Sequence, residues 1–343
     1  MWAARAAAID DARGEPARVV AQDRDRWFVQ TAEGPVGARI ASGSQVRSAP
    51  VVGDWVLVAP GPSASDPWTV MDVLPRSSRL ARGAAGTGLE EQILAANVDV
   101  VWVVHGLDAP LNARRIERYL AVVWESGAVP ELVLSKSDLS SDLAETVAEA
   151  EGIALGVRIR AVSSVDSDSI VKLREATKPG TTVVLLGPSG VGKSTLVNLL
   201  VPSAGAATAA VRSKDHRGRH TTTRREIYPM EGGALLLDTP GIRELRLWSV
   251  DEGLDRAFPD IEELARGCRF RDCRHESEPG CAVIEAEAAG RIAADRVAGY
   301  RKLRAEAEYQ ARKSDPLARK AAVADHKAAL KTMKYHHKYR RED

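Results

Sequence analysis

Cysteines, long apolar runs and net charge are all in short supply in this 343-residue chain. Three cysteines are too few, and odd in number, for a disulfide framework. No apolar run approaches the ~20 residues that a membrane-spanning helix needs. The opening stretch, Met1 to Asp10, is too short and too interrupted to read as a signal peptide. A cytoplasmic location with no membrane partner is therefore the expectation. The net charge of +1 hides an uneven distribution. Residues 300–343 carry 13 Lys and Arg against 6 Asp and Glu, a surplus of +7, which leaves −6 on the rest. A basic tail on a mildly acidic body points to a polyanionic partner, RNA ahead of membrane.

What is present is a globular composition, 44% hydrophobic and 28% charged, on a length suited to two or three domains. The most informative stretch runs from Thr181 to Leu200. Thr181–Leu186 reads as a buried strand, and Leu196–Leu200 as the apolar side of a helix. Between them lies Gly187-Pro188-Ser189-Gly190-Val191-Gly192-Lys193-Ser194-Thr195. Strand, glycine loop and helix together are the context of a phosphate-binding loop. Its backbone N–H groups turn inward around a polyphosphate, and the helix N-terminus adds partial positive charge. Lys193 then reaches the β- and γ-phosphates, and the Ser194 hydroxyl is a Mg²⁺ ligand.

The first 75 residues show short alternating runs, among them Arg26–Gln30 and Asp54–Val58, broken by Gly, Pro and Asp. This spacing suits a small β-barrel without selecting one barrel type. Trp27, Trp55 and Trp68 are read as mostly core, with base stacking as the alternative. Residues 76–90, with Arg76, Arg79 and Arg82, read as a basic linker. From 91 to 250 strands alternate with helices, the pattern of a doubly wound parallel sheet. Strands are expected at 98–104, 129–134 and 157–162, with helices capped by Asn112 and near 141–150 and 167–176. Residues 203–225 have the polar, unpatterned character of a switch segment. Residues 251–343 form a charged helical unit, with a last helix opening at Pro316.

Three further signals sit at the ends of expected strands. Asp238-Thr-Pro-Gly241 closes a hydrophobic strand, where Asp238 can hold Mg²⁺ through water and the Gly241 N–H can face a γ-phosphate. In Ser135-Lys136-Ser137-Asp138, a carboxylate at 138 can accept both N1–H and the 2-amino group of guanine, a pair that adenine lacks, while the Lys136 stem packs on the ring. Ser163-Ser164 fits a loop whose backbone touches the guanine O6. The set favours GTP over ATP, with an ATP-dependent P-loop protein as the rival. A nucleotide-gated RNA scaffold with negligible turnover is the second rival, because Ile242 stands where a water-orienting glutamine is usual. His220 is the obvious substitute within the switch. One of Thr221, Thr222 and Thr223 is expected on Mg²⁺, and spacing does not say which. Cys268-x4-Cys273-x-His275-x5-Cys281 offers three thiolates and an imidazole, a tetrahedral zinc set with no position open to water, hence structural.

The guanine motif here precedes the phosphate loop, the reverse of ordinary GTPases. With that order, Gly218-Arg-His-Thr-Thr-Thr223, Val52-Gly-Asp-Trp-Val56, Leu74-Pro-Arg76 and the cysteine spacing, the chain resembles the bacterial ribosome small-subunit-dependent GTPase A family. The resemblance implies an N-terminal OB-fold, a central circularly permuted GTPase domain and a C-terminal zinc-binding domain. It further implies a monomer that binds GTP and GDP, with one Zn²⁺, Mg²⁺ accompanying GTP, and hydrolysis stimulated by the small ribosomal subunit and its rRNA during late maturation. His220 as a catalytic residue beside Lys193, and Thr222 and Thr223 in the site, agree with it. Ser135 departs from the family's usual Asn.

Asp138→Asn should weaken GTP far more than xanthosine triphosphate, because xanthine carries a carbonyl to which an amide can donate. Competition binding with both nucleotides checks this, and equal losses would overturn the assignment.

Overall fold

The computed structural model describes residues 14–23, 26–41, 48–63, 66–83, 91–201, 225–238 and 252–314. Strands β1 (Glu15–Asp23), β2 (Arg26–Gln30), β3 (Pro35–Ile40), β4 (Trp55–Ala59) and β5 (Trp68–Val73) close on themselves in the order β1-β2-β3-β5-β4-β1. Every pairing is antiparallel except β3 with β5. A closed five-stranded barrel of this order is an OB-fold. Alternation does the folding: Ala17, Val19, Trp27, Val29, Val56, Val58 and Val70 turn inward and are buried. Trp27 belongs to this core and donates its indole N–H to the Pro50 carbonyl at 2.8 Å. Trp55 and Trp68 are half-buried, Trp55 beneath the Arg18 guanidinium at 5.1 Å.

The stretch expected as a linker is partly structured. Arg79–Gly83 is a strand, β6, paired antiparallel with β7 (Glu91–Ala96). Small and basic residues gave β6 the look of a connection, but its ladder partner supplies the hydrogen bonds, and Leu80 and Ala81 are buried.

Next comes a six-stranded sheet in the order β10-β9-β8-β11-β13-β12. Its strands are β8 (Val100–Gly106), β9 (Val129–Ser135), β10 (Arg158–Val162), β11 (Thr182–Leu186), β12 (Arg225–Pro229) and β13 (Leu235–Asp238). All neighbours run parallel except β12 with β13. In β8, Val101 and Val103 join one buried cluster while Trp102 and Val104 join another, so both faces of the sheet are covered. The covering helices are α1 (Ala113–Glu125), α2 (Leu143–Ile153), α3 (Ser167–Glu175) and α4 (Lys193–Leu200). Asn112 caps α1, its side chain accepting from the Arg115 N–H at 3.0 Å. The barrel is continuous with this sheet: beyond a register shift at Val19/Ala21, β1 leaves β4, and Ala21 and Gln22 pair with Glu226 and Arg225 of β12. Arg18, buried at this junction, donates to the Thr182 hydroxyl at 2.8 Å and to the Asn97 carbonyl at 3.2 Å.

The C-terminal unit contains α5 (Glu252–Ala257), α6 (Pro259–Ala265), α7 (Ala282–Ala288) and α8 (Ala294–Ser314). It docks on α1 through Arg296, which pairs with Asp260 (2.8 Å), bonds Glu117 (3.0 Å) and covers the Phe258 ring at 4.9 Å. The helix expected from Pro316 lies outside the described residues. Among those residues no helix is long and apolar enough to cross a membrane.

Burial pushes the Glu117 carboxyl up to about 7, the Arg296 guanidinium opposing it and Asp260 reinforcing it. Between pH 4.5 and about 7 the folded chain therefore holds a proton that the unfolded chain has lost. The stability this supplies is complete below 4.5 and falls as pH rises to about 7. Glu117→Gln should lack this component, so its stability relative to the parent should rise across that window. Urea midpoints at pH 5 and 7.5 check it, and parallel profiles would contradict it.

Candidate nucleotide site and metal centre

Parallel pairing sends the loops after β8, β9, β10, β11 and β13 to one edge of the sheet. Four sequence-predicted elements meet there. The first is the loop Gly187, Pro188, Ser189, Gly190, Val191, Gly192 between β11 and α4. At Gly187, φ is +155°, and a Cβ would lie 2.4 Å from the Val104 carbonyl oxygen, so the strand can leave the sheet here only as glycine. Lys193, the first residue of α4, donates from Nζ to the Gly187 carbonyl at 2.7 Å and also to that of Pro188. Ser194 and Thr195 are exposed at the head of α4.

The second element follows β9. Ser135 is 3% exposed, and its hydroxyl lies 2.6 Å from the Val191 carbonyl and 3.2 Å from that of His105. A hydroxyl has one proton, and the shorter contact takes it. Ser135 thus ties the loop after β9 to the glycine loop after β11. Lys136 then turns left-handed at φ +58°, one of three non-glycine residues with positive φ among those described. Its ammonium meets the Asp108 carboxylate at 2.6 Å. Ser137 and Asp138 follow in a single 3-10 turn, with Asp138 exposed.

The third element follows β10. Ser163 is buried, and its hydroxyl donates to Asp138 Oδ1 while accepting from the Val165 N–H at 3.2 Å. Ser169 fixes Ser163 in turn, its hydroxyl oxygen accepting from the Ser163 N–H at 3.0 Å. The carboxylate at 138 is thereby oriented from the neighbouring loop, and Ser164 beside it is exposed. Asp238 is the fourth element, exposed at the end of β13. His220, Thr221, Thr222, Thr223, Gly241 and Ile242 lie outside the described residues.

Asp108 was missed from the sequence. It follows β8 by two residues on the same edge, so the rule that picked out Asp138 and Ser163 leads to it once β8 is extended from 104 to Gly106.

The second candidate site lies between α6 and α7. Cys268 Sγ is 3.6 Å from His275 Nδ1 and 3.8 Å from Cys281 Sγ, and His275 Nδ1 is 3.3 Å from Cys281 Sγ. One donor atom from each of these residues and Cys273 lies within 4.8 Å of every other. Zinc–sulfur bonds of about 2.3 Å imply tetrahedral S···S edges of about 3.8 Å, which the Cys268–Cys281 separation matches. The set can hold a tetrahedral metal such as zinc. Burial lowers the His275 pKa, which favours the neutral ring that a metal binds. Arg301 and Arg304 of α8 bind the His275 and Cys273 carbonyls, which fixes the loop to the helix.

A glycine loop after the central strand β11, with the Ser135–Asp138 and Ser163 loops earlier in the chain, is the arrangement of a circularly permuted P-loop GTPase. The chain belongs to the RsgA GTPase family: that family's profile matches residues 73–248. It is therefore a GTP-hydrolysing enzyme. A relative from Opitutus terrae, named small ribosomal subunit biogenesis GTPase RsgA, is 43% identical over 319 residues, 89% of this chain and 87% of the relative. A relative of the same name from Methanosarcina acetivorans is 42% identical over 271 residues, 79% of this chain and 73% of the relative. The crystal structure of YjeQ from Thermotoga maritima is 26% identical with a TM-score of 0.65, covering 85% of this chain and 98% of that one.

The protein as purified should carry one tetrahedral metal ion per chain. Cys273→Ala should lose it and lower the stability of the C-terminal unit, while nucleotide binding by 187–195 changes little. Elemental analysis with nucleotide titration checks both, and a metal-free, fully stable parent would contradict the assignment.

Proposed function

We propose that this chain is a cytoplasmic, monomeric GTPase of small-ribosomal-subunit maturation, which binds the immature subunit through rRNA and times its release by GTP hydrolysis. The observation that carries this reading is the convergence of the Lys193 loop, Asp138 and Ser163 on one sheet edge, in a chain of this family. The relatives' names supply the ribosomal context. In this reading the barrel occupies 1–75, the connection 76–90, the GTPase domain 91–250 and the zinc domain 251–343.

The roles divide along the edge. Backbone N–H groups of 189–192 and the Lys193 ammonium bind phosphate oxygens. To do so Lys193 exchanges its bonds to the Gly187 and Pro188 carbonyls for stronger charge-assisted ones. Asp138, steadied by Ser163, reads guanine, and Ser164 lies where the base edge passes. Ser194, one switch threonine and Asp238 would hold Mg²⁺, which would neutralise developing phosphate charge when bound. His220 orients the attacking water, since isoleucine at 242 cannot polarise it. Zinc on Cys268, Cys273, His275 and Cys281 is structural.

Free protein should turn over GTP slowly, and added small subunits should raise the rate by orders of magnitude, as ordering of a catalytic group does in other GTPases. His220→Ala should keep near-parent GTP affinity and subunit binding while losing most of the stimulated rate. Phosphate release with and without subunits measures this. A rate unmoved by subunits would overturn the proposed regulation, and an alanine variant stimulated like the parent would remove His220 from the mechanism.

A further inference from the structure

Where the chain leaves β8, Gly106 lies opposite Ser135 in register, and the Leu107 N–H extends the ladder to the Ser135 carbonyl at 2.9 Å. The chain then folds back. A Cβ at position 106 would lie 2.6 Å from Asp108 Oδ1 and 3.5 Å from Val191 Cα, so the carboxylate rests directly on Gly106, beside the phosphate loop. From there it meets Lys136 Nζ at 2.6 Å. Lys136 itself sits in the left-handed region at φ +58°, which sets the direction in which its side chain leaves the loop. Their side chains are 29% and 49% exposed, so the pair adds little to folding stability. What it does is direction. It holds the ammonium on the β8 side, while Ser163 holds Asp138 from the β10 side, so the two side chains flank the end of β9 from opposite directions.

We propose that Asp108 is a positioning residue for guanine-nucleotide binding, holding the Lys136 ammonium so that the lysine stem forms a fixed wall for the base. The inference rests on the reading of Asp138 as the guanine acceptor. It makes the base pocket a three-strand construction, with Asp108 from β8, Lys136 and Asp138 from β9, and Ser163 from β10. It also sets two effects of opposite sign against each other. Removing a carboxylate near a polyanionic nucleotide should by itself tighten binding, whereas loss of positioning should loosen it.

The test measures dissociation of fluorescent GDP from the full chain for Asp108→Ala, Asp108→Glu, Lys136→Ala and the Asp108→Ala/Lys136→Ala double variant, with Asp138→Asn as a reference. Asp108→Ala should release GDP about two- to five-fold faster, the range an exposed ion pair supplies. Asp108→Glu should restore most of the loss, and the double variant should be no worse than Lys136→Ala alone. The KM of Asp108→Ala for GTP should rise by a similar factor, because the interaction lost is one of binding. Gly106→Ala, which displaces the carboxylate without removing it, should also release GDP faster. Unchanged or tighter GDP binding by Asp108→Ala, or additive losses in the double variant, would overturn the proposal. If Asp138→Asn fails to shift preference from GDP to xanthosine diphosphate, the guanine reading itself has failed. If it does shift while Asp108→Ala is silent, only the role of Asp108 is lost.

Discussion

A parallel sheet buried on both faces leaves one place for polar chemistry, the edge where its strands end. In this protein everything concerned with nucleotide depends on that constraint. β8, β9, β10 and β11 lie as neighbours with their C-termini aligned, so loops far apart in the chain arrive within hydrogen-bond reach. Ser135 reaches Val191 across 56 residues, and Ser163 reaches Asp138 across 25. Neither contact is coded locally; the ladder delivers both.

The same constraint explains why the chain order is free to differ from that of ordinary GTPases. A loop at the sheet edge is defined by the strand it follows and by that strand's neighbours, not by when it is made. Serine at 135 illustrates how little the edge demands of an individual side chain. A short hydroxyl bonds the phosphate-loop carbonyl directly because β9 brings it close enough, so a longer amide is not needed for this tie.

Much of this was legible in the sequence because it is periodic. Val100–Val104 and Thr182–Leu186 are apolar runs bounded by polar turns, and the glycine loop between strand and helix is a pattern of fixed length. The strand now called β8 ends two residues later than its apolar run, since His105 and Gly106 pair like any others and carry no hydrophobic signal. That offset concealed Asp108. β6 was concealed by its composition, because Arg79 and Arg82 look solvated whether or not their backbone is paired. The inter-domain contacts left no trace at all. Arg18 meets Thr182 across 164 residues and Arg296 meets Glu117 across 179, and a lone arginine in a sequence does not announce its partner. The Cys268, Cys273, His275 and Cys281 cluster was the opposite case, four side chains within fourteen residues that together can hold a metal ion.

The pairing of β1 with β12 gives the molecule a mechanical character. The barrel is not a bead on a string. It is spliced into the catalytic sheet at the strand that begins immediately after residue 224, so whatever grips the barrel also grips that strand. The splice is short, two residue pairs between β1 and β12, yet it is made of backbone ladder rather than of side chains. Load on the barrel therefore enters the sheet along a hydrogen-bonded strand and not through a slack tether.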